Sequence, residues 1–192
     1  RRIMLAWGNH VIAISDPVGQ SLINDFHVQP EKVTTIFNSI DVTDLQTKYG
    51  QKNPLEIRAK YNIPQTDPVI GIVSRIVSDK GHEYFLKAAA KLISGQFKNL
   101  KIVIAGEGPH SQAIKNLAKQ LKIENSTHFL GNLNDVTYAL SMIDIFVLPA
   151  IWREGFGLSI VEAMAVRKPV IVTNIWALNE LVQDGVNGLM VN

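Results

Sequence analysis

The sequence of 192 residues contains no cysteine. This absence excludes disulfides, thiolate metal ligands and a cysteine nucleophile, and it fits a reducing compartment such as the cytoplasm. The formal net charge is only +2 and neither sign forms a block, so nothing indicates nucleic-acid binding. The most apolar run, from Met142 to Trp152, contains Asp144 and is too short to cross a bilayer. We therefore expect a globular protein with a small-molecule ligand and no transmembrane segment.

Apolar side chains are abundant, at 46% of the residues, and they form short buried-strand patterns that alternate with helical ones. The strongest strand patterns are Val69 to Val73, Lys101 to Ala105, Ile145 to Leu148 and Pro169 to Val172, with a weaker one at Thr127 to Leu130. Helical periodicity predicts helices near residues 82–94, 110–121, 135–141 and 158–166. Apolar strands alternating with helices predict an α/β fold with a doubly wound parallel sheet.

The first third of the chain is organised differently. Val11 to Ser15 and Lys32 to Phe37 predict two strands, separated by a helix that begins at Asp16 and Pro17. After them the pattern loosens and shows only a short helix from Leu55 to Tyr61. The predicted organisation is the tail of an earlier domain, an interdomain linker and a ligand-binding domain, at residues 1–38, 39–66 and 67–192.

The most informative segment is a glycine-rich loop with a carboxylate at its start and another in the helix that follows. Glu154 lies in the loop, and seven residues separate it from Glu162, about two turns into the helix. Gly155 and Gly157 leave backbone N–H groups free at a helix N-terminus, where anions bind. Glu154 would then accept hydrogen bonds from sugar hydroxyls, and Glu162 from a vicinal diol such as ribose. The pattern is typical of a nucleotide-sugar site; the alternative is a glycine turn with a solvated glutamate.

Three other loops follow predicted strands at the same edge of the sheet, where ligands bind in such folds. Arg75 and Lys80 either clamp a diphosphate or are ordinary surface charges. Gly106 and Gly108 either let the backbone approach a ligand or form a tight turn; the third glycine of a dinucleotide fingerprint is absent, which disfavours such a cofactor. The loop at residues 131–135, which contains Leu133, either passes near the base or ribose of a ligand, or serves only to cap the next helix.

Seven segments of the chain follow one another in a familiar order. They are KVTTIFNSID, VSRIVSDKGHEYFLKAAAKL, KIVIAGEGP, FLGNL, REGFGLSIVEAMA, KPVIVTN and NELVQDGVNGLMV. From about Val11 to Asn192 this order resembles the C-terminal half of a retaining glycosyltransferase of the GT-B fold, similar to the family 4 group. The resemblance covers most of the chain and implies a Rossmann-like donor-binding domain.

The resemblance also assigns roles to individual residues. It implies transfer of a sugar from a nucleoside diphosphate sugar to an acceptor hydroxyl, with retention at the anomeric carbon. Arg75 and Lys80 would grip the donor diphosphate and Glu154 would contact the donor sugar, so these three would be catalytic. The donor-binding positions would be Gly155, Phe156, Gly157, Leu158 and Glu162.

The partners implied are a nucleotide sugar, an acceptor that is a glycan, a lipid-linked or a small molecule, and the missing N-terminal domain of the same protein. Related enzymes indicate cell-envelope glycan synthesis, in the cytoplasm or peripherally at the inner membrane. We expect the chain to be truncated at its C-terminus and to transfer little or no sugar alone. No cofactor or metal is expected, because the chain has no Asp-x-Asp pair and no histidines in ligand spacing. A nucleotide-sugar epimerase of this fold and a non-catalytic nucleotide-sugar-binding subunit remain alternatives.

The chain departs from the usual family pattern near the expected site. Ser74 stands where a glycine precedes the arginine, and Phe37 and Ser39 flank Asn38 where proline and glycine are usual. Trp176 stands at a glycine position and either narrows the sugar pocket or acts as a hydrophobic plug. Glu180 either caps the following turn or contacts ligand.

Overall fold

The computed structural model of the protein describes residues 8–192. Residues 1–7, the start of the predicted domain tail, lie outside the described residues. The N-terminal part forms a small parallel sheet in which β1 (Val11–Ala13) pairs with β2 (Val33–Thr35). Helix α1 (Asp16–Asn24) connects them; Ser15 caps its N-terminus and Pro17 occupies the first turn, where a missing N–H costs nothing. The predicted strand, helix and strand are confirmed, with shorter bounds.

A second sheet contains six parallel strands in the order β5-β4-β3-β6-β7-β8. Their bounds are β3 (Val69–Val73), β4 (Lys101–Ala105), β5 (Thr127–Gly131), β6 (Ile145–Leu148), β7 (Val170–Thr173) and β8 (Leu189–Val191). The strand order runs outward in both directions from the β3/β6 pair, so the topological switch point lies between these two strands. The predicted doubly wound sheet is confirmed; β8 was not predicted as a strand.

Five helices accompany this sheet, and each predicted helical pattern corresponds to one of them. They are α4 (His82–Ser94), α5 (Ser111–Gln120), α6 (Val136–Met142), α7 (Leu158–Ala165) and the short α8 (Leu178–Leu181). Helix α4 shows why the pattern works: Phe85, Leu86 and Ala89 form one buried stripe against the sheet. Phe146 of β6 is fully buried in the same core, and truncating it to alanine would cost about 3–5 kcal/mol.

The segment predicted as a linker contains two helices, α2 (Val42–Gly50) and α3 (Pro54–Lys60). Only the second was predicted. Helix α2 has no fully buried residue and packs on the core through Leu45 and Tyr49 alone, so it lacks an apolar stripe. Asp41 caps it by accepting a hydrogen bond from the Asp44 amide at 2.9 Å. The helix contacts α6 and α7, so this segment lies against the large sheet domain.

Arg58 fixes α3 to the large sheet domain. Its side chain is buried, and its Nη2 donates to the Met142 carbonyl at 2.6 Å and to Asp144 Oδ1 at 2.7 Å. Asp144 Oδ2 in turn accepts from the Val69 amide at 2.8 Å, at the start of β3. A planar guanidinium suits such a forked contact. No helix in residues 8–192 is long and apolar enough to span a membrane.

Candidate functional site

The loops that follow β3 and β6 meet at the switch point of the sheet. Gly81, at the N-terminus of α4, has φ +72, and a Cβ there would lie 1.7 Å from the Pro149 carbonyl oxygen. One loop also hydrogen-bonds to the other, from the Ile151 amide to the Asp79 carbonyl at 2.9 Å. This close backbone approach, which requires glycine, brings Lys80 beside Glu154.

An open cavity of about 560 Å³ lies at this edge of the sheet. Ile14 and Asn38 reach it from the N-terminal part of the chain, so the cavity is bounded by both parts. The lining of this cavity brings together the predicted residues Arg75, Lys80, Glu154, Gly155, Phe156, Gly157, Leu158 and Glu162.

The cationic side chains of the cavity differ in their partners. Lys80 Nζ forms an ion pair with Glu154 Oε2, and the two side chains are only 26% and 12% exposed. Arg75 is exposed and makes no ion pair with any residue in the range 8–192. The sequence predicted separate ligands for Lys80 and Glu154; it gave no indication that they pair with each other. The guanidinium of Arg75 is therefore available to an anion, whereas Lys80 must share its charge with Glu154.

The N-terminus of α7 forms one wall of the cavity. Gly157 is the N-cap, with φ +95, and no side chain caps the helix. The first-turn N–H groups at Leu158 and Ser159 therefore lack the capping acceptor that most helices have. Both residues line the cavity. Free N–H groups and the positive end of the helix dipole favour an anion such as phosphate.

Glu162 is the fifth residue of α7, which begins at Leu158. It lies little more than one turn into the helix, so the predicted distance of two turns is wrong. Burial raises the pKa of Glu162 above its ordinary value. Its carboxylate makes no hydrogen bond or ion pair with the described residues, and it lines both the main cavity and a smaller pocket of about 290 Å³. A half-buried acceptor without a partner suits a ligand that brings its own donors, as a diol does.

Gly106, Gly108 and Leu133 do not line the cavity within the described part of the chain. A Cβ on Gly106 would lie 2.0 Å from the Ser74 carbonyl oxygen, and one on Gly108 would lie 2.2 Å from the Ile76 carbonyl oxygen. Both glycines therefore let the loop after β4 lie against the loop that carries Arg75. Leu133 packs against the core. Direct ligand contact at these three positions stays a prediction.

Trp176 and Glu180 lie outside the cavity lining. Trp176 has φ +43, a left-handed conformation that fits the usual glycine, and the Arg153 guanidinium lies over its ring at 5.4 Å from the centroid. Glu180 is exposed, and partial burial of its carboxyl group, followed by the nearby charge of Asp16, raises its pKa.

Sequence reasoning missed two further residues beside the site. Ser15 is fully buried and its Oγ donates to the Gly155 carbonyl at 2.7 Å. Arg153 Nη1 donates to Asp25 Oδ2 at 2.7 Å. A serine before Asp-Pro signals a helix cap, but no sequence pattern indicates that it also contacts a loop 140 positions away.

Comparison with known families decides the class of protein. A family model described as "Glycosyl transferases group 1" matches residues 54–192, most of the chain. The chain belongs to the group 1 glycosyl transferases. This membership disfavours the epimerase alternative.

Curated relatives agree with the family match. The chain is 29% identical over 183 residues to an uncharacterized glycosyltransferase of Methanocaldococcus jannaschii, covering 94% of this chain and 46% of that protein. It is 31% identical over 176 residues to the N-acetyl-alpha-D-glucosaminyl L-malate synthase of Bacillus anthracis, covering 90% and 44%. The chain thus spans about half the length of these relatives.

Solved structures confirm the fold. A glycosyltransferase from Rickettsia africae superposes with a TM-score of 0.81 at 27% identity, covering 95% of this chain and 49% of that one. Anabaena HepE, solved in complex with UDP and glucose, superposes with a TM-score of 0.84 at 24% identity, covering 96% and 50%. The predicted α/β fold with a parallel sheet is confirmed, and it matches glycosyltransferases of the GT-B fold.

Proposed function

We propose that the chain is the donor-binding part of a retaining glycosyltransferase of the family 4 type. It would bind a nucleoside diphosphate sugar, whose sugar passes to an acceptor hydroxyl. One observation carries the proposal: a single cavity at the switch point holds an unpaired arginine, a lysine, an uncapped helix N-terminus and two carboxylates.

The polar groups of this cavity suit three parts of such a donor, its diphosphate, its ribose and its sugar. Arg75 and the N-terminus of α7 would hold the diphosphate, since both favour phosphate oxygens. Glu162, farther along the helix and without a partner, would accept from the ribose hydroxyls. Glu154 would accept from hydroxyls of the transferred sugar.

The Lys80–Glu154 ion pair lies within the proposed donor site. Each charge compensates the other, which limits the cost of burying them. A bound diphosphate would compete for Lys80, and Glu154 would then direct an oxygen to the sugar. Donor binding would thus exchange one ion pair for two ligand contacts.

Catalysis would depend on charge stabilisation and positioning. When the bond between the anomeric carbon and the diphosphate breaks, negative charge grows on the departing oxygen. Arg75, Lys80 and the α7 N-terminus would stabilise that charge, each contact being worth about 3 kcal/mol in the transition state. We propose that no metal ion is needed, because these groups supply positive charge from the protein itself.

Names of relatives support a sugar-nucleotide donor and a cell-envelope role. The Escherichia coli relative, 29% identical over 172 residues, is a UDP-Gal:alpha-D-GlcNAc-diphosphoundecaprenol alpha-1,3-galactosyltransferase. Anabaena HepE was also solved in complex with UDP-glucose. We propose an acceptor of the glycan or lipid-linked glycan class, reached in the cytoplasm or at the membrane surface through an N-terminal domain.

Donor hydrolysis by the full-length product of the gene tests the proposed function, because water replaces the unidentified acceptor. UDP-, GDP- and ADP-glucose would be supplied and nucleoside diphosphate release measured. We expect one donor to be hydrolysed, with a loss of about 100-fold or more in Arg75→Ala and Glu154→Ala. Lys119→Ala, an exposed position on α5, is the matched control. Release that is unchanged in both site variants would contradict the proposal and favour a non-catalytic binding subunit.

A further inference from the structure

Helix α1 holds the loop that carries Glu154 on both sides of that residue. Next to Glu154 on the C-terminal side, the Gly155 carbonyl accepts from the buried Ser15 Oγ at 2.7 Å. A Cβ on Gly155 would lie 3.3 Å from Ile14 Cδ1, which shows how closely the two segments approach. On the N-terminal side, Arg153 Nη1 donates to Asp25 Oδ2 at 2.7 Å and to Ser21 Oγ at 3.2 Å.

The Arg153 guanidinium also contacts a third segment. It lies over the Trp176 ring, with Cζ 5.4 Å from the centroid, so it contacts both that ring and the Asp25 carboxylate. Hydrogen bonds from Ser21 and then Arg153 lower the pKa of Asp25, so the carboxylate stays charged. Trp176 keeps φ +43, which costs about 1 kcal/mol for a residue with a Cβ. Strained backbone of this kind persists where surrounding contacts determine it, often beside functional sites.

We propose that Arg153 is a positioning residue for Glu154, acting through Asp25, the C-cap of α1, and the ring of Trp176. The inference rests on the proposed function in one respect, since Glu154 is taken to contact the donor sugar. Ser15 anchors one side of the loop and Arg153 anchors the other, so Glu154 lies between two fixed points. Trp176, which lies outside the cavity lining, would therefore support the loop of Glu154 through Arg153 and would not enter the pocket.

Removing Arg153 should loosen the loop without unfolding the chain. Its side chain and that of Asp25 are 49% and 44% exposed, so the ion pair contributes little to global stability. The buried Ser15 bond remains in place. The expected defect is therefore local, confined to the loop and to the ligand group that Glu154 would contact.

The first arm of the test needs no ligand. Backbone ¹⁵N order parameters of residues 154–157 would be measured in this chain and in Arg153→Ala, Asp25→Ala and Arg153→Lys. We expect values near 0.85 in the starting protein and below about 0.6 in the two alanine variants. Arg153→Lys, which keeps the charge but loses the planar stack, should lie between them, and Lys119→Ala should change nothing. Unchanged order parameters in Arg153→Ala would overturn the proposal.

The second arm separates positioning from general support. The nucleoside diphosphate among UDP, GDP and ADP that binds would be compared with its glucose conjugate. Arg153→Ala should weaken binding of the conjugate about fivefold and binding of the diphosphate less than twofold. Glu154→Gln should have the same effect. The double variant should show no further loss of affinity, as expected for coupled residues. An equal loss for both ligands would mean general support of the fold and overturn the proposal. If none of the three nucleotides bound, the proposed function would fail, and the order parameters would still decide whether Arg153 holds the loop.

Discussion

Lys80 and Glu154 form a largely buried ion pair, so the stability of each charge depends on the other. Lys80→Met leaves the Glu154 carboxylate, 12% exposed, without its partner. We expect a loss of about 2 kcal/mol in the free energy of unfolding, because an unpaired buried charge is costly. Glu154→Gln in the same chain should recover part of that loss. Urea unfolding of both single variants and the double variant measures the coupling, and additive losses would contradict a direct pair.

We expect His82 to make the stability of the fold depend on pH. The ring is 2% exposed, and burial, followed by the nearby charge of Lys80, lowers the pKa of His82 to about 4. Between its ordinary pKa near 6.5 and about 4, the unfolded chain binds the proton and the folded chain does not. The contribution of His82 to the free energy of unfolding should therefore be fully present above pH 6.5. It should be lost as the pH falls toward 4, a loss of about 3 kcal/mol.

Urea unfolding at pH 7.5, 5.5 and 4.5 checks the His82 prediction against His82→Gln. Other groups titrate in both proteins, so the difference between the two proteins isolates the histidine. The variant should lose less stability over this range. Equal losses would mean that His82 does not keep its neutral form in the folded protein.

Among the elements, the contact between the loops after β3 and β6 depends on Gly81. Gly81→Ala would place a methyl group 1.7 Å from the Pro149 carbonyl oxygen at φ +72. The loops after β3 and β6 would have to separate, so we expect a loss of more than about 3 kcal/mol and weaker nucleotide binding. Gly50→Ala, at the end of α2 with nothing within 4 Å, is the control and should be neutral or slightly stabilising. Similar urea midpoints for the two variants would contradict this account of the loop.

How well an element could be predicted from the sequence depends on how it buries its residues. The bounds of β3, β4 and β6 match their apolar runs, because a strand covered on both faces is apolar throughout. Helix α2 was missed because its buried face is only Leu45 and Tyr49. Strand β8 was missed because it is short and its ends, Leu189 and Val191, are exposed.

The site was predictable as a location more than as a set of contacts. The carboxyl ends of the strands in a doubly wound sheet lie along one edge. Arg75, Lys80, Glu154 and Glu162 follow such ends and were therefore expected near one another. Which side chains pair there depends on contacts across 74 positions for Lys80 and Glu154, and such pairing leaves no local pattern. The role of Arg153 was hidden for the same reason, since Asp25 lies 128 positions away.

At the scale of the whole molecule, this chain covers about half of its curated relatives. We expect it to bind the donor but to transfer little sugar alone, because the proposed acceptor site would belong to an N-terminal domain. Donor turnover by this chain and by the full-length gene product, measured at equal concentration, checks this expectation. Equal turnover would show that the chain is sufficient.

Calorimetric titration of this chain with UDP, GDP and ADP tests the central claim most directly. The account predicts saturable binding of one nucleotide, unaffected by EDTA, weakened about tenfold or more in Arg75→Ala and Glu162→Ala, and unchanged in Lys119→Ala. The absence of binding by a folded chain, or binding that the two site variants leave intact, would contradict it.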